Sequence, residues 1–270
     1  MLHNDAMYET VPSRVEINGR ELEYVWLGPP PNQNATLVFL HEGLGSIAQW
    51  RDLPQQLVTA TGCSALIYNR ASYGGSDPMP APWPRTFMHD HAREELPALL
   101  DALAVRQTIL IGHSDGASIA IIYAGGESAN EQLAGIAVMA PHVFVEELGL
   151  SSIRQARDAF NNGDLRTRLQ RYHKDNTINV FDGWNDAWLR EDFVDWNIEE
   201  FLPRVTTPMM VIQGEDDQYG TLRQVKTICA SVSGPVTPLI LQNCRHSPHR
   251  DQPEKVIVGL ADFVDRVLNS

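Results

Sequence analysis

A serine between two glycines is the first candidate for chemistry in this chain. It is Ser114, in the segment GHSDG at residues 112–116, which follows the apolar run TILI and precedes small residues compatible with a helix. A sharp turn from a strand into a helix strains its central residue, and only small residues two positions away avoid a clash. This context is typical of a nucleophilic serine. At the helix start, the N–H of Asp115 could donate to an oxyanion, and its carboxylate would stabilise the first turn.

A serine nucleophile requires a base, and the base requires an acid that orients it. Later in the chain, the apolar run MMVIQ is followed by GEDD at residues 214–217, and the run PLILQNC by RHSPH at residues 245–249. The carboxyl ends of parallel strands meet at one edge of a sheet, so an acid and a histidine placed there would meet the serine. The residues therefore predict a catalytic triad, with Asp216 or Asp217 as the acid and His246 or His249 as the base.

The elements that would position these residues alternate along the chain. Apolar runs such as ATLVFL, SALIYNR and TPMMVIQG are each followed by a segment with helical periodicity. This alternation is typical of a parallel sheet covered on both faces. The opening segment RVEINGRELEYVWLG instead contains Asn18-Gly19 between two alternating runs, which predicts a hairpin. We therefore predict an α/β fold with a mostly parallel central sheet of about eight strands, flanked by helices.

One segment interrupts the alternation, from about residue 143 to residue 203. It contains only helix-like pieces, so we predict a helical cap at 143–203, inserted before the last two strands of a core domain formed by 1–142 and 204–270. Aromatic residues, among them Trp184 and Trp188, are concentrated in its second half. They either pack the cap against itself and the core, or line an apolar substrate pocket.

Length and composition restrict the class of partner. The chain has 270 residues, of which 43% are hydrophobic and 20% are charged, and its formal net charge is −13. An acidic protein lacks the basic face that nucleic acids and anionic membranes require, so we expect a small-molecule substrate and neither of those partners, and we leave homo-oligomer formation open. The three cysteines are widely spaced and have no metal-ligand spacing, which predicts reduced thiols and no metal. Without an apolar targeting or spanning segment, we expect a cytoplasmic protein.

Five motifs together resemble those of the α/β-hydrolase fold superfamily, over essentially the whole chain. FLHEGLGS resembles the H-G-x-x-G-S oxyanion loop, YNRASYGGSD resembles the R-G-x-G-x-S segment, and GHSDG resembles the nucleophile elbow. QGEDDQYG resembles the acid loop, and CRHSPHRDQPE resembles the histidine loop. The resemblance implies a serine hydrolase with a catalytic triad, but these motifs do not specify the substrate.

The resemblance gives each triad position a residue. Ser114 falls on the nucleophile. The family's Gly-x-x-Asp spacing favours Asp217 over Asp216 as the acid. The base precedes a proline-containing segment in the histidine loop, which favours His246 over His249.

The oxyanion loop departs from the family's pattern at one position. The family usually reads His-Gly, whereas this chain reads His41-Glu42-Gly43. By alignment, the N–H groups of Asp115 and Gly43 form the oxyanion hole, with Leu44 as an alternative to Gly43. Glu42 then lies near the pocket. It either has a surface-facing or hydrogen-bonded structural role, or it binds a hydroxyl or an amine of the substrate, or it helps to position water.

The resemblance implies acyl transfer to water. We expect hydrolysis of a small carboxylic ester or lactone through an acyl-enzyme, without a metal or an organic cofactor. Relatives with an aspartate at the nucleophile position form alkyl-enzyme esters. This chain has Ser114 at that position, so we do not expect an alkyl-enzyme ester here. One alternative is a carbon–carbon bond hydrolase of aromatic catabolism, although that family commonly has Asn at the position of His113. Another is a member of the fold that binds a small molecule without hydrolysing it.

Overall fold

The computed structural model describes residues 11–31, 33–129 and 132–269, and an eight-stranded sheet forms its centre. The strands are Ser13–Ile17 (β1), Arg20–Leu27 (β2), Thr36–Leu40 (β3), Ser64–Tyr68 (β4), Thr108–His113 (β5), Leu133–Met139 (β6), Met209–Gly214 (β7) and Val236–Leu241 (β8). Their order is β1-β2-β4-β3-β5-β6-β7-β8. Strands β3 to β8 pair in parallel, whereas β2 is antiparallel to both of its neighbours. The predicted mostly parallel α/β sheet is confirmed.

Strands β1 and β2 form a hairpin at the position that the sequence predicts. Ile17 pairs with Arg20, so Asn18 and Gly19 are the two residues of the loop. Their φ angles are 52° and 77°. Two successive positive φ angles are the geometry of a type I′ turn, for which Asn-Gly is preferred.

Helices cover both faces of the parallel strands. They are Leu53–Thr61 (α1), Phe87–Asp90 (α2), Leu96–Ala102 (α3), Asp115–Ala124 (α4), Glu147–Asn162 (α5), Leu165–His173 (α6), Thr177–Leu189 (α7), Leu222–Ser231 (α8), Pro248–Asp251 (α9) and Pro253–Leu268 (α10). On β3, Leu37 and Phe39 pack into the cluster that contains α1 and α10, and Val38 and Leu40 pack into the cluster that contains α4. All four side chains are buried. Burial on both faces explains why β3 has four successive apolar residues after Thr36.

The chain between β6 and β7 is helical. It contains α5, α6, α7 and several 3₁₀ turns, of which Glu199–Arg204 is the last. The two ends of this segment lie side by side, because the N–H of Ile198 donates to the Val143 carbonyl at 2.8 Å. The cap predicted at 143–203 falls on this segment, and its status as a separate domain stays a prediction.

One histidine ties this helical segment to the rest of the fold. His173, at the end of α6, accepts a hydrogen bond at Nδ1 from the N–H of Gly74 (3.1 Å). Its Nε2 lies 3.2 Å from the carbonyl oxygen of Leu44, so the proton on Nε2 is donated to the oxyanion loop. Within the described ranges of the chain, no helix combines the length and the apolar character needed to cross a membrane.

Candidate active site

The turn after β5 holds Ser114 in a strained conformation. Its φ and ψ are 53° and −117°, outside the ordinary regions for a residue with a side chain. Its N–H donates to the Met139 carbonyl of β6 at 2.9 Å, which fixes the turn to the neighbouring strand. A methyl group on Gly112 would collide with the backbone of Gly116, and one on Gly116 would collide with the Leu40 carbonyl. The glycines are therefore required by close backbone approach, and strain of this kind is typical of functional sites.

Two later loops bring a histidine and an acid to this serine. His246 follows β8, and its Nε2 lies 2.9 Å from Ser114 Oγ. Its Nδ1 lies 2.9 Å from both carboxylate oxygens of Asp217, which follows β7. An ionised carboxylate can only accept, so the proton of the neutral imidazole resides on Nδ1 and Nε2 is free to accept the serine proton. This is the geometry of a general base that is oriented by an acid.

Donors surround the Asp217 carboxylate. Gln213 Nε2 donates to Oδ2 at 2.7 Å, and the N–H groups of Tyr219 and Gly220 reach Oδ1 at 2.8 and 3.4 Å. Burial would raise the pKa of Asp217, but the hydrogen bond and charge of His246, with the Tyr219 N–H, hold that pKa below its usual value. The carboxylate is consequently ionised at neutral pH.

The alternative acid and the alternative base that the sequence offers, Asp216 and His249, do not contact Ser114. Asp216 is exposed, next to the buried Asp217. His249 packs between Trp50 and His113, with ring centroids 5.2 and 5.0 Å from theirs. The structure thus brings Asp217 and His246 to Ser114, and it places Asp216 and His249 outside this hydrogen-bonded chain.

A pocket of about 410 Å³ opens onto Ser114. All four residues that the sequence offers for substrate binding lie in its wall, namely Glu42, Leu44, Trp184 and Trp188. The wall also contains residues that sequence reasoning missed, among them His142, Glu146, Ile153, Tyr219 and Arg250. The pocket therefore lies between the helical segment and the carboxyl edge of the sheet.

His142 is one of the missed residues, and its signal was its place just after a strand. Its ring centroid lies 5.8 Å from that of His246 and 5.5 Å from that of Trp188. Burial, with the nearby charge of His246, lowers the pKa of His142 to about 4, so its imidazole is neutral at pH 7. Although several histidines gather here, the described residues contain no group of three or more His, Cys, Asp or Glu side chains arranged to hold a metal ion.

The backbone groups offered for the oxyanion hole are close neighbours. Asp115 is the first residue of α4, so its N–H has no acceptor within its own helix. A methyl group on Gly43 would lie 2.9 Å from Asp115 Oδ2 and would collide with the Trp184 indole. The oxyanion loop therefore packs directly against the residue that follows the nucleophile. The roles of Asp115 and Gly43 as donors stay predictions.

Glu42 links the oxyanion loop to the histidine loop. Its Oε2 lies 3.3 Å from His113 Nδ1, and its Oε1 lies 3.4 Å from Arg250 Nη2. The other ring nitrogen of His113 lies 2.7 Å from the carbonyl oxygen of His246. Burial would raise the pKa of Glu42, but its hydrogen bond to His113 and the charges of His113 and Arg250 hold it well below its usual value. Glu42 thus has paired structural contacts and also lies in the pocket wall.

The Asp115 side chain differs from that of Glu42. It is 1% exposed, and its Oδ2 has no hydrogen-bond partner among the described residues. Burial raises the pKa of Asp115 to about 6, although the Arg70 guanidinium and the Trp188 indole oppose the rise. The expected contribution to the first helical turn explains its place on α4, but it does not explain a carboxylate in the pocket wall.

Known proteins share this arrangement of elements. Residues 37–258 match a family model described as the alpha/beta hydrolase family. The chain belongs to the alpha/beta hydrolase family. A similar protein, named proline iminopeptidase, from Lactobacillus acidophilus, is 21% identical over 95% of this chain and 99% of its own length.

Solved structures of other proteins superpose on this alpha/beta hydrolase. A thermophilic esterase from Thermogutta terrifontis has a TM-score of 0.74 at 15% identity, over 96% of this chain and 99% of its own. A membrane phospholipase A, described as a bacterial virulence factor, has a TM-score of 0.77 at 21% identity, over 96% of this chain and 87% of its own. These two likenesses show the fold and do not identify a substrate for this chain.

Proposed function

We propose that this alpha/beta hydrolase cleaves a small carboxylic ester or lactone, with Ser114 as the nucleophile. The observation that supports it most is the hydrogen-bonded chain from Ser114 through His246 to Asp217, with 2.9 Å at each step. A pocket of about 410 Å³ lies over this chain. Ligand pockets span roughly 300–1,000 Å³, so the volume favours a small substrate.

The mechanism assigns each group one task. Ser114 Oγ attacks the carbonyl carbon while His246 Nε2 accepts its proton, and Asp217 stabilises the imidazolium that forms. The N–H groups of Asp115 and Gly43 donate to the tetrahedral oxyanion. His246 then returns the proton to the departing oxygen, which leaves an acyl-enzyme on Ser114. In the second half, His246 takes a proton from the water that attacks the acyl carbon, and it returns this proton to Ser114 Oγ as the bond to the acyl group breaks and the acid is released.

A second candidate is release of the N-terminal residue from a peptide. The similar protein from Lactobacillus acidophilus is named a proline iminopeptidase. Three carboxylates, those of Glu42, Asp115 and Glu146, lie in the pocket wall, where they could accept hydrogen bonds from a free terminal amine. The same triad would attack the peptide carbonyl, and the leaving group would be the amine of the remaining peptide.

Labelling with a fluorophosphonate tests the nucleophile. We expect the wild type to label and Ser114→Ala not to label. Ser247→Ala is a matched control because Ser247 lies in the same pocket, and it should label like the wild type. A wild type that does not label would contradict the serine hydrolase and favour a member of the fold that only binds a small molecule.

A substrate panel tests the type of bond. We expect hydrolysis of p-nitrophenyl esters, fastest for the short acyl chains between acetate and octanoate, and of small lactones. A higher kcat/KM for prolyl p-nitroanilide than for every ester and lactone would favour the peptidase instead. An enzyme that labels and cleaves none of these would favour the carbon–carbon bond hydrolase.

A further inference from the structure

The pocket contains a buried carboxylate oxygen without a partner. Asp115 Oδ2 is enclosed, has no hydrogen-bond donor among the described residues, and belongs to a residue in the pocket wall. Buried polar atoms are nearly always hydrogen-bonded, because leaving one unpaired is costly. Beside the nucleophile, a donor that arrives with a ligand would satisfy such an atom.

The neighbours of Asp115 do not satisfy this oxygen. The Arg70 guanidinium attracts the carboxylate, but its two Nη groups donate to the carbonyls of His41 and Glu42. The Trp188 indole N–H is close enough to lower the pKa of Asp115, yet its Nε1 has no partner with hydrogen-bond geometry. A donor and an acceptor thus remain unpaired in the same wall of the pocket.

The position of this oxygen indicates which part of a substrate it would contact. A methyl group on Gly43 would lie 2.9 Å from Asp115 Oδ2, so the carboxylate is directed to the oxyanion loop. His246, which would return the proton to the leaving group, contacts Ser114 Oγ instead. A group on the carbon next to the scissile carbonyl lies close to the carbonyl oxygen, so a donor on that carbon is one that a carboxylate beside the oxyanion loop would meet.

We propose that Asp115 Oδ2 accepts a hydrogen bond from an amine or a hydroxyl on the carbon next to the scissile carbonyl of the substrate. The proposal rests on the proposed acyl-enzyme mechanism, and it makes the preferred substrates α-amino or α-hydroxy acyl compounds. An ionised carboxylate accepts strongly from either group, and an ammonium adds charge attraction. Asp115 would then contribute its N–H to the oxyanion and its side chain to specificity.

The test compares three esters with one carbon skeleton: phenyl propanoate, phenyl 2-hydroxypropanoate and phenyl 2-aminopropanoate. Each kcat/KM is divided by the rate of hydrolysis by hydroxide, because an α-heteroatom activates the carbonyl by itself. We expect the wild type to prefer one of the substituted esters by about tenfold or more. The ester that is preferred distinguishes the hydroxyl from the amine. A wild-type ratio near one for both esters would contradict the proposal without any variant.

The variant Asp115→Asn removes the charge and keeps the backbone N–H. We expect its preference for the substituted ester to fall by about tenfold, whatever happens to its rate on the plain ester. Asp216→Asn, at an exposed carboxylate, should keep the wild-type preference. A preference in Asp115→Asn within about twofold of the wild type would overturn the subsite.

Failure of the proposal and failure of the proposed function give different results. Loss of fluorophosphonate labelling at wild-type Ser114 would contradict the acyl-enzyme, and with it the subsite. If Ser114 labels but cleaves no ester, protection from labelling by ethylboronic acid and by 1-aminoethylboronic acid replaces the kinetic comparison. Equal protection by the two boronic acids would then contradict an amine on Asp115, and stronger protection by the amino compound would support it.

Discussion

Two buried aspartates stand beside the same nucleophile in opposite environments. Asp217 accepts from a glutamine side chain, from backbone N–H groups and from His246, and its pKa is lowered. Asp115 has an oxygen without a donor, and burial raises its pKa to about 6. The chain itself donates to both oxygens of one carboxylate, and it leaves one oxygen of the other without a donor. Asp217 must keep one position during the reaction, and its donors hold it there. Asp115 Oδ2 can accept a hydrogen bond from a ligand.

Local sequence accounts for much of this difference. Asp217 lies in a loop between β7 and α8, and the loop folds its own N–H groups, from Tyr219 and Gly220, onto the carboxylate. Asp115 lies at the start of α4, where its backbone N–H has no acceptor within the helix, and no loop N–H donates to its Oδ2. Its neighbours are instead Gly43 of the oxyanion loop and two tryptophans of the helical segment, Trp184 and Trp188.

The largest loss of activity should come from replacing Asp217, the carboxylate whose oxygens both accept hydrogen bonds. Asp217→Asn leaves an amide that favours the wrong imidazole tautomer, so we expect kcat to fall by about 10³–10⁴-fold in assays of ester hydrolysis. Asp216→Asn is the matched control, because Asp216 is the exposed neighbour in the same loop. Similar losses in both variants would show that the acid loop as a whole, and not Asp217, supports His246.

The sequence predicted the fold and proposed the residues that form the hydrogen-bonded chain, because each depends on local pattern. Asn18-Gly19 specifies its own turn, and Ser114, Asp217 and His246 follow strands that are recognisable by their apolar runs. The sequence could not place side chains whose surroundings come from distant segments. His142 also follows a strand, but its closeness to the rings of His246 and Trp188 depends on packing across three parts of the chain.

Glu42 is a second residue whose surroundings the sequence could not predict. The sequence left two interpretations open, a structural role and a pocket role, because its orientation depends on partners far along the chain. The structure supplies those partners in His113 and Arg250, so Glu42 is a paired carboxylate like Asp217, although it lies in the same pocket wall as Asp115. Glu42 is therefore intermediate between Asp217, which is paired within the chain, and Asp115, which has an unpaired oxygen in the pocket wall.

An intermediate effect is expected from Glu42→Gln. The change removes the carboxylate charge beside His113 Nδ1, and the Nε2–H of the same ring donates to the backbone carbonyl of His246. We expect kcat to fall by about ten- to a hundredfold through displacement of the base, with a smaller change in KM. Glu215→Gln, at an exposed carboxylate of the acid loop, is the control. An increase in KM with kcat unchanged would instead make Glu42 a substrate-binding group.

The smallest effect concerns stability, and its sign should differ between the two aspartates. The folded-state pKa of Asp115, about 6, lies above its value in an unfolded chain, so ionisation destabilises the folded protein. Arg70 and His113 attract this charge and Glu42 repels it, and burial outweighs them. At pH 8 we expect Asp115→Asn to be more stable than the wild type by about 1–3 kcal/mol, or a few degrees in Tm.

This advantage should shrink as the pH falls from 6 to 4 and vanish below about pH 3, where the wild-type carboxyl is protonated in both the folded and the unfolded state. Asp217 has a lowered pKa, so its ionised form stabilises the fold at every pH above its unfolded value, and Asp217→Asn should lower Tm at both pH 8 and pH 5. Thermal unfolding of both variants and the wild type across this range measures the difference. A loss of stability in Asp115→Asn at pH 8 would mean that its carboxylate is already satisfied within the chain, and that no donor from a substrate is needed to explain it.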